Sequence, residues 1–241
     1  MIPPGSTFVQ LGRAGDILNI LPILEKAGGG QIVCRPEYAP VLRRVSYANW
    51  IPWHGDINQA MTAAKRMGAA YIPQCFGEAS PQPRRAESFA HEEWMRVGAS
   101  LENFGTLNID RRDREAERQL ISRHVRTDKP LILVNTAATS SPYPHAAPLL
   151  AHRWNDRCEV LDLASVRGES ICDLLGLYDR ALALVTVDTA TLHLAAASKV
   201  PVVYLKPRGW VASPAKGNCI LEQHYDQTDF SAIDKELELL L

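Results

Sequence analysis

One stretch constrains this chain more than any other. An apolar run ends on an acid, a polar turn follows, and a helical pattern leads into a second apolar run. The residues are Ala183-Leu-Val-Thr-Val-Asp188-Thr189-Ala190-Thr191-Leu-His193-Leu-Ala-Ala-Ala197, then Pro201-Val-Val-Tyr-Leu205. Short continuous apolar runs of this kind suit strands buried on both faces. Two such strands joined by a helix run parallel. In an open parallel sheet, the strand-to-helix turns lie along the carboxyl edge, where ligands bind. The first N–H groups of the helix favour an anion there, such as a diphosphate. Asp188 and Thr189 are placed to cap that helix. Capping alone does not account for Thr191 and His193, which add donors and acceptors to an otherwise apolar segment. His193 has two possible partners, a backbone carbonyl or a ligand phosphate.

The N-terminal part repeats the pattern. An apolar strand is expected at 8–11, broken by Gly12-Arg13-Ala14-Gly15. Asp16 then precedes the apolar stripe Ile17, Leu18, Ile20, Leu21, Ile23 and Leu24, which predicts a helix. Gly28-Gly29-Gly30 ends it, and a strand resumes at 31–34. The turn has neither the Gly-x-Gly-x-x-Gly of a dinucleotide site nor the Gly-Lys-Ser/Thr of a P-loop. Gly12 and Gly15 still permit close approach of a ligand to the backbone. Asp16 has two readings: it caps free N–H groups, or it faces a cleft as general base toward an acceptor hydroxyl.

Further along, the patterns predict a short helix at 38–45 and an edge segment at 50–53, where Pro52 has no N–H to donate. A helix at 57–67, a strand at 70–74, a loop at 78–87 and a helix at 89–97 follow. Asp128-Lys129-Pro130 then punctuates the chain, which suggests domains at 1–127 and 128–241. The second half is expected to hold strands at 131–134, 159–163, 184–187 and 202–205. Helices are expected at 170–182, 189–198 and 230–241. A polar loop at 135–145 carries Thr136 and borders a cleft. The fold class is therefore α/β: two Rossmann-like parallel-sheet domains facing a central cleft.

Composition excludes several classes. The 241 residues are 46% hydrophobic and 22% charged, as in globular proteins. A net charge of -1 gives no global field for a nucleic-acid backbone. The arginines between 111 and 126 alternate with acids, which suits a solvated helix face. Five cysteines without a Cys-x-x-Cys pair suggest reduced thiols and no structural zinc. No signal peptide or membrane-spanning run is evident, so a cytoplasmic protein without integral membrane contact is expected.

Two motifs carry a family resemblance. Asp188-Thr-Ala-Thr-Leu-His193-Leu-Ala-Ala-Ala-Ser-Lys-Val-Pro201 resembles the Asp-Thr-Gly-x-x-His-x-Ala-x-Ala-x-x-x-Pro signature of the heptosyltransferase-like glycosyltransferases, glycosyltransferase family 9. Gly15-Asp16-Ile-Leu-Asn-Ile-Leu-Pro22 resembles that family's Gly-Asp-x-Leu-x-x-x-Pro segment. The resemblance implies a GT-B architecture, with a nucleotide-sugar donor bound mainly by the second domain. It also implies metal-independent transfer with inversion, with the nucleotide-sugar as co-substrate and no further cofactor. Asp16 matches the proposed base, and Asp188 the residue near the donor sugar. Thr189 and Ala190 match the turn at the diphosphate, and His193 the signature histidine. Thr191 and Thr136 join the donor side, while Gly12, Arg13 and Gly15 border the acceptor side. Ala190 stands where the family usually has glycine, and its methyl group restricts positive φ. The loop after residue 134 has no obvious phosphate-binding lysine; Arg153 and Lys206 are the cations considered in its place. The implied acceptor is a glycan or lipopolysaccharide-type hydroxyl. One alternative is a hydroxymethylated DNA base, for which the arginine run, Trp50 and Trp53 are suited. Another is a non-catalytic nucleotide-sugar binding module.

Overall fold

The computed structural model describes residues 2–72, 98–99, 105–138, 142–206, 217–224 and 227–241. The expected loop at 78–87, the helix at 89–97 and Cys75 lie outside the described residues. The chain divides into two compact units, Met1–Arg112 and Asp113–Leu241. This division falls ahead of residue 127 because a helix at Arg114–His124 packs within the second unit. Its buried Glu117 lies against Gly176, where an added Cβ would come within 2.7 Å of the Glu117 Cβ.

The first unit runs β1 (Ser6–Gln10), α1 (Ala14–Lys26), β2 (Gly30–Cys34), α2 (Ala39–Leu42), β3 (Ala48–Pro52), α3 (Ile57–Met67) and β4 (Ala70–Ile72). Its strands are all parallel, in the order β3-β2-β1-β4. The apolar stripe of α1, from Ile17 to Leu24, is buried. That helix ends as its composition predicts. Gly28 and Gly29 take φ of 82° and 103°, and the Gly29 N–H returns to the Leu24 carbonyl at 2.8 Å. Pro52 sits on an edge strand, as its missing N–H requires. Asp56 caps α3 by accepting from the Gln59 N–H at 2.9 Å. Ala60 and Ala64 of α3 then pack on Val9, Leu11 and Val33.

The second unit runs α4 (Arg114–His124), β5 (Leu131–Asn135), α5 (Ala146–Trp154), β6 (Glu159–Asp162), α6 (Leu175–Tyr178), β7 (Ala181–Thr186), α7 (Ala190–Ala195), β8 (Val202–Lys206), β9 (Cys219–His224) and α8 (Phe230–Glu238). The sheet is parallel throughout, in the order β6-β5-β7-β8-β9. Ile132, Val134, Val185, Val203 and Leu205 form its core with Leu150, Trp154, Ile233 and Leu237.

Several elements depart from the sequence expectations. The helix expected at 170–182 is a 3-10 turn at Ile171–Leu174 followed by the short α6. Residues 181–182 belong to β7, because Ala181 pairs with Leu131. The helix expected at 189–198 stops at Ala195. There the Asn218 amide donates to the carbonyls of Ala195 and Ser198, at 2.9 and 2.7 Å. Helix α5 and strand β9 were not expected. Ala146, Leu150 and Trp154 recur four residues apart on the buried side of α5. Helix α8 is fastened to α5 by Asp234, which accepts from the Trp154 indole at 2.8 Å and pairs with Arg153. The four described cysteines are free thiols. Burial, with a smaller push from Glu37, raises the pKa of Cys34 to about 12.

Candidate active site

Each sheet reverses its strand order once, and in open parallel sheets the crevice at that reversal is where ligands bind. In the second unit the reversal lies between β5 and β7. Asn135 ends β5 and Thr136 follows it, while Val187 and Asp188 follow β7. The Val187 N–H donates to the Asn135 carbonyl at 3.1 Å. The Asn135 amide donates to Thr191 Oγ1 at 3.1 Å. Thr186 Oγ1 and Thr189 Oγ1 approach the same oxygen at 3.1 and 2.6 Å. The Tyr178 hydroxyl donates to the Thr191 carbonyl at 3.0 Å. Burial raises the pKa of Tyr178, against a smaller opposing effect of that bond. Thr191 is thus the hub of an internal polar network and is 4% exposed.

Thr189 is the helix cap, accepting from the Thr191 N–H at 3.1 Å. Asp188 stands just outside the helix, with Oδ1 3.4 Å from His193 Nε2. Among the described residues, three buried side-chain atoms have no hydrogen-bond partner: Asn135 Oδ1 and His193 Nδ1 here, and His224 Nδ1 at the end of β9. Thr136 is buried, and its carbonyl accepts from the Tyr143 N–H at 2.8 Å. No described residue other than glycine has a positive φ. Ala190 therefore does not call for the left-handed backbone that would favour glycine. Lys206, at the carboxyl end of β8, lies 2.8 Å from Glu222. Arg153 is held by Asp234.

In the first unit the reversal lies between β1 and β4, and the turn after β1 holds Gly12, Arg13, Gly15 and Asp16. Gln10 is fully buried, and its Oε1 accepts from the Gly12 N–H at 2.8 Å. Asp16 is the third helical residue, not the cap. Its Oδ2 reaches back to the Arg13 N–H at 2.7 Å, closing one half of a capping box. A side chain at position 12 would overlap that carboxylate, so glycine here makes room for Asp16. Gly15 is buried and Arg13 exposed. Burial and then Glu37 raise the pKa of Tyr38, with a further contribution from Asp16 and opposing ones from Arg13 and Arg35.

The residues picked out from sequence thus form two clusters, one at each carboxyl edge. Gly12, Arg13, Gly15 and Asp16 belong to the first unit. Thr136, Asp188, Thr189, Ala190, Thr191 and His193 belong to the second. Gln10, Asn135, Thr186 and Tyr178 join these edges without having been singled out by the sequence patterns. For Gln10 and Thr186 the signal was present, a polar residue inside an apolar strand. Among the described residues, no three His, Cys, Asp or Glu side chains gather in a metal-binding arrangement. No described helix is long and apolar enough to cross a membrane.

Two parallel sheets, each with a polar cluster at its order reversal, define a Rossmann-like α/β class of fold. Among solved structures, the chain has the heptosyltransferase-like fold of glycosyltransferase family 9. It aligns with the family 9 glycosyl transferase of Veillonella parvula at 14% identity and a TM-score of 0.62, covering 99% of this chain and 90% of the other. It aligns with the E. coli ADP-heptose lipopolysaccharide heptosyltransferase II at 13% identity and a TM-score of 0.63, covering 98% of both chains. The E. coli heptosyltransferase WaaC with ADP aligns at 14% identity and a TM-score of 0.53, over 98% of this chain and 99% of the other. No protein-family model matches the sequence, and no curated protein matches it.

Proposed function

We propose that this chain is an inverting, metal-independent glycosyltransferase of GT-B arrangement. In this reading a nucleotide-sugar binds at the β5/β7 edge, and an acceptor hydroxyl is activated by Asp16. The observation that carries the reading is the anchoring of Asp16 at the turn after β1. Gln10 fixes that turn, Gly12 leaves room for the carboxylate, and the Arg13 N–H orients it. Neighbouring structures of the same fold hold ADP and ADP-2-deoxy-2-fluoro heptose, which makes an ADP-sugar the first donor to test.

Asp16 would take the proton from the acceptor hydroxyl as its oxygen attacks the anomeric carbon. The bond from that carbon to the diphosphate breaks, and the electron pair leaves with the diphosphate. The turn at Thr189 and Ala190 would receive the departing charge with its N–H groups. Asp188 and His193 would lie toward the sugar. Thr191 and Thr136 would shape the edge from within. Arg118 pairs with Glu115 at 2.7 Å, and Arg114 pairs with Glu117 and Asp179. Two arginines of the run are therefore held in local pairs, as on a solvated helix face. A cytoplasmic site of action fits a nucleotide-sugar donor.

Asp16→Asn tests the proposal, because asparagine can still accept from the Arg13 N–H. Transfer should fall by about 10²–10⁴-fold with an unchanged melting temperature. Full activity in that variant would remove Asp16 from the chemistry. Stabilisation of the wild-type chain by ADP, without turnover of any ADP-sugar, would favour the binding-module reading.

A further inference from the structure

We infer that Tyr178 is a positioning residue, whose hydroxyl holds the polar turn at Asp188–Thr191 in place. The inference rests on the glycosyltransferase reading for the donor that this turn would bind. The hold itself rests on geometry within the second unit.

Helix α7 is six residues long, from Ala190 to Ala195. A helix of that length is not stable by itself in water, so its place is set by what grips it. Asn218 grips its far end through the carbonyls of Ala195 and Ser198. Thr191, near its start, is gripped twice. The Asn135 amide donates to its side-chain oxygen at 3.1 Å, and the Tyr178 hydroxyl donates to its carbonyl at 3.0 Å. The two bonds differ in what they fix. Asn135 comes from the end of β5 and ties the Thr191 side chain to the sheet. Tyr178 comes from α6 and ties the helix backbone itself, three residues after Asp188.

The ring of Tyr178 fills space, but its hydroxyl does something else. Leu174, Leu175 and Leu177 beside it are buried apolar side chains, and phenylalanine would supply the same ring. Tyr178 is 1% exposed, and a hydroxyl at that depth needs a partner. The Thr191 carbonyl is that partner. Burial keeps the phenol protonated, so the bond does not vary with pH in the working range.

The base from which Tyr178 reaches α7 is rigid. Helix α6 is a single turn, entered directly from the 3-10 turn at Ile171–Leu174. A capping box closes that turn: buried Asp173 accepts from the Ser170 N–H at 2.9 Å, and Ser170 Oγ accepts from the Cys172 N–H at 3.2 Å. Gly176 lets α4 come close, against the Glu117 side chain. Asp179, the residue after Tyr178, pairs with Arg114 of α4 at 3.4 Å. Loss of the Tyr178 hydroxyl therefore frees the start of α7 and leaves α6 and its neighbours where they are.

The test compares Tyr178→Phe with the wild-type chain and with Asp234→Asn, which loosens α8 instead. The full chain is titrated with ADP by calorimetry, well below the melting temperature of each variant. Amide hydrogen exchange is followed at residues 191–193 without nucleotide. Tyr178→Phe should weaken ADP binding by about fivefold, the value of one hydrogen bond. Exchange at 191–193 should quicken by a similar factor, as local opening becomes easier. Asp234→Asn should change neither. Unchanged ADP affinity in Tyr178→Phe, or unchanged exchange at 191–193, overturns the inference whatever the melting temperature. So does an equal loss of ADP affinity in Asp234→Asn, which would trace the effect to general stability. If the wild-type chain binds no ADP, the donor reading fails, and exchange at 191–193 decides by itself whether Tyr178 holds the turn.

Discussion

At the scale of single residues, the two edges are built by buried polar side chains that touch the backbone or one another. Gln10 is the clearest case. It sits in an apolar strand, fully buried, and its amide oxygen sets the turn that carries Asp16. Thr191 does the same for the second edge by gathering Asn135, Thr186 and Thr189 around one oxygen. Valine in place of Thr191 conserves shape but removes that oxygen. The Asn135 N–H would then be left buried without its acceptor. Thr191→Val should lower unfolding stability by about 1–3 kcal/mol, measured by urea titration. Removing an exposed hydroxyl that only touched ligand would leave stability unchanged, so the measurement separates the two roles.

At the scale of elements, the C-terminal helix is pinned through a carboxylate. Burial works against ionised Asp234, but hydrogen bonds from Arg153 and Trp154 outweigh it and hold its pKa below the ordinary value. Glu159 behaves alike: burial opposes its charge, and bonds from Thr127 and Arg126 lower its pKa further. For a carboxylate with a lowered folded-state pKa, the stabilisation is complete above the unfolded value of about 4. It is lost as pH falls through the folded value. Stability should therefore decline with acidification below about pH 4. In Asp234→Asn the decline should be shallower, from a lower starting stability at neutral pH. Trp154 fluorescence at a series of pH values reads both. An unchanged slope would mean that Asp234 contributes nothing to acid sensitivity.

At the scale of the whole molecule, the chain is two units, each with its own parallel sheet and its own polar edge. The proposed function places the donor on the second unit and the acceptor on the first. ADP at a hundredfold excess over its dissociation constant should stabilise the chain by about 2.7 kcal/mol. In hydrogen exchange, the protection should centre on residues 187–192 and leave the turn at residues 12–16 unchanged. Protection centred on the first unit would reverse the assignment.

Much of this was legible in the sequence because it is local. The apolar runs of β1, β5, β7 and β8, the stripe of α1, the Gly28-Gly29 stop and the edge character of Pro52 all follow from neighbouring residues. So do the two polar turns, which lie where an apolar strand gives way to a helix. What was not legible depends on partners distant in the chain. The hold of Gln10, Gly12 and Arg13 on the turn and on Asp16 at the third helical position has no local signature. Thr191 reads as a ligand contact until Asn135, 56 positions away, is found on its hydroxyl. Residues 181–182 read as helix until pairing with β5 draws them into the sheet. Local sequence specifies most of these strands, turns and helices, since hydrophobic period and turn chemistry are short-range; α5, β9 and the start of β7 are the exceptions. The order of the strands and the inward-facing polar groups come from long-range pairing, because hydrogen bonds between parallel strands join residues that no local pattern connects.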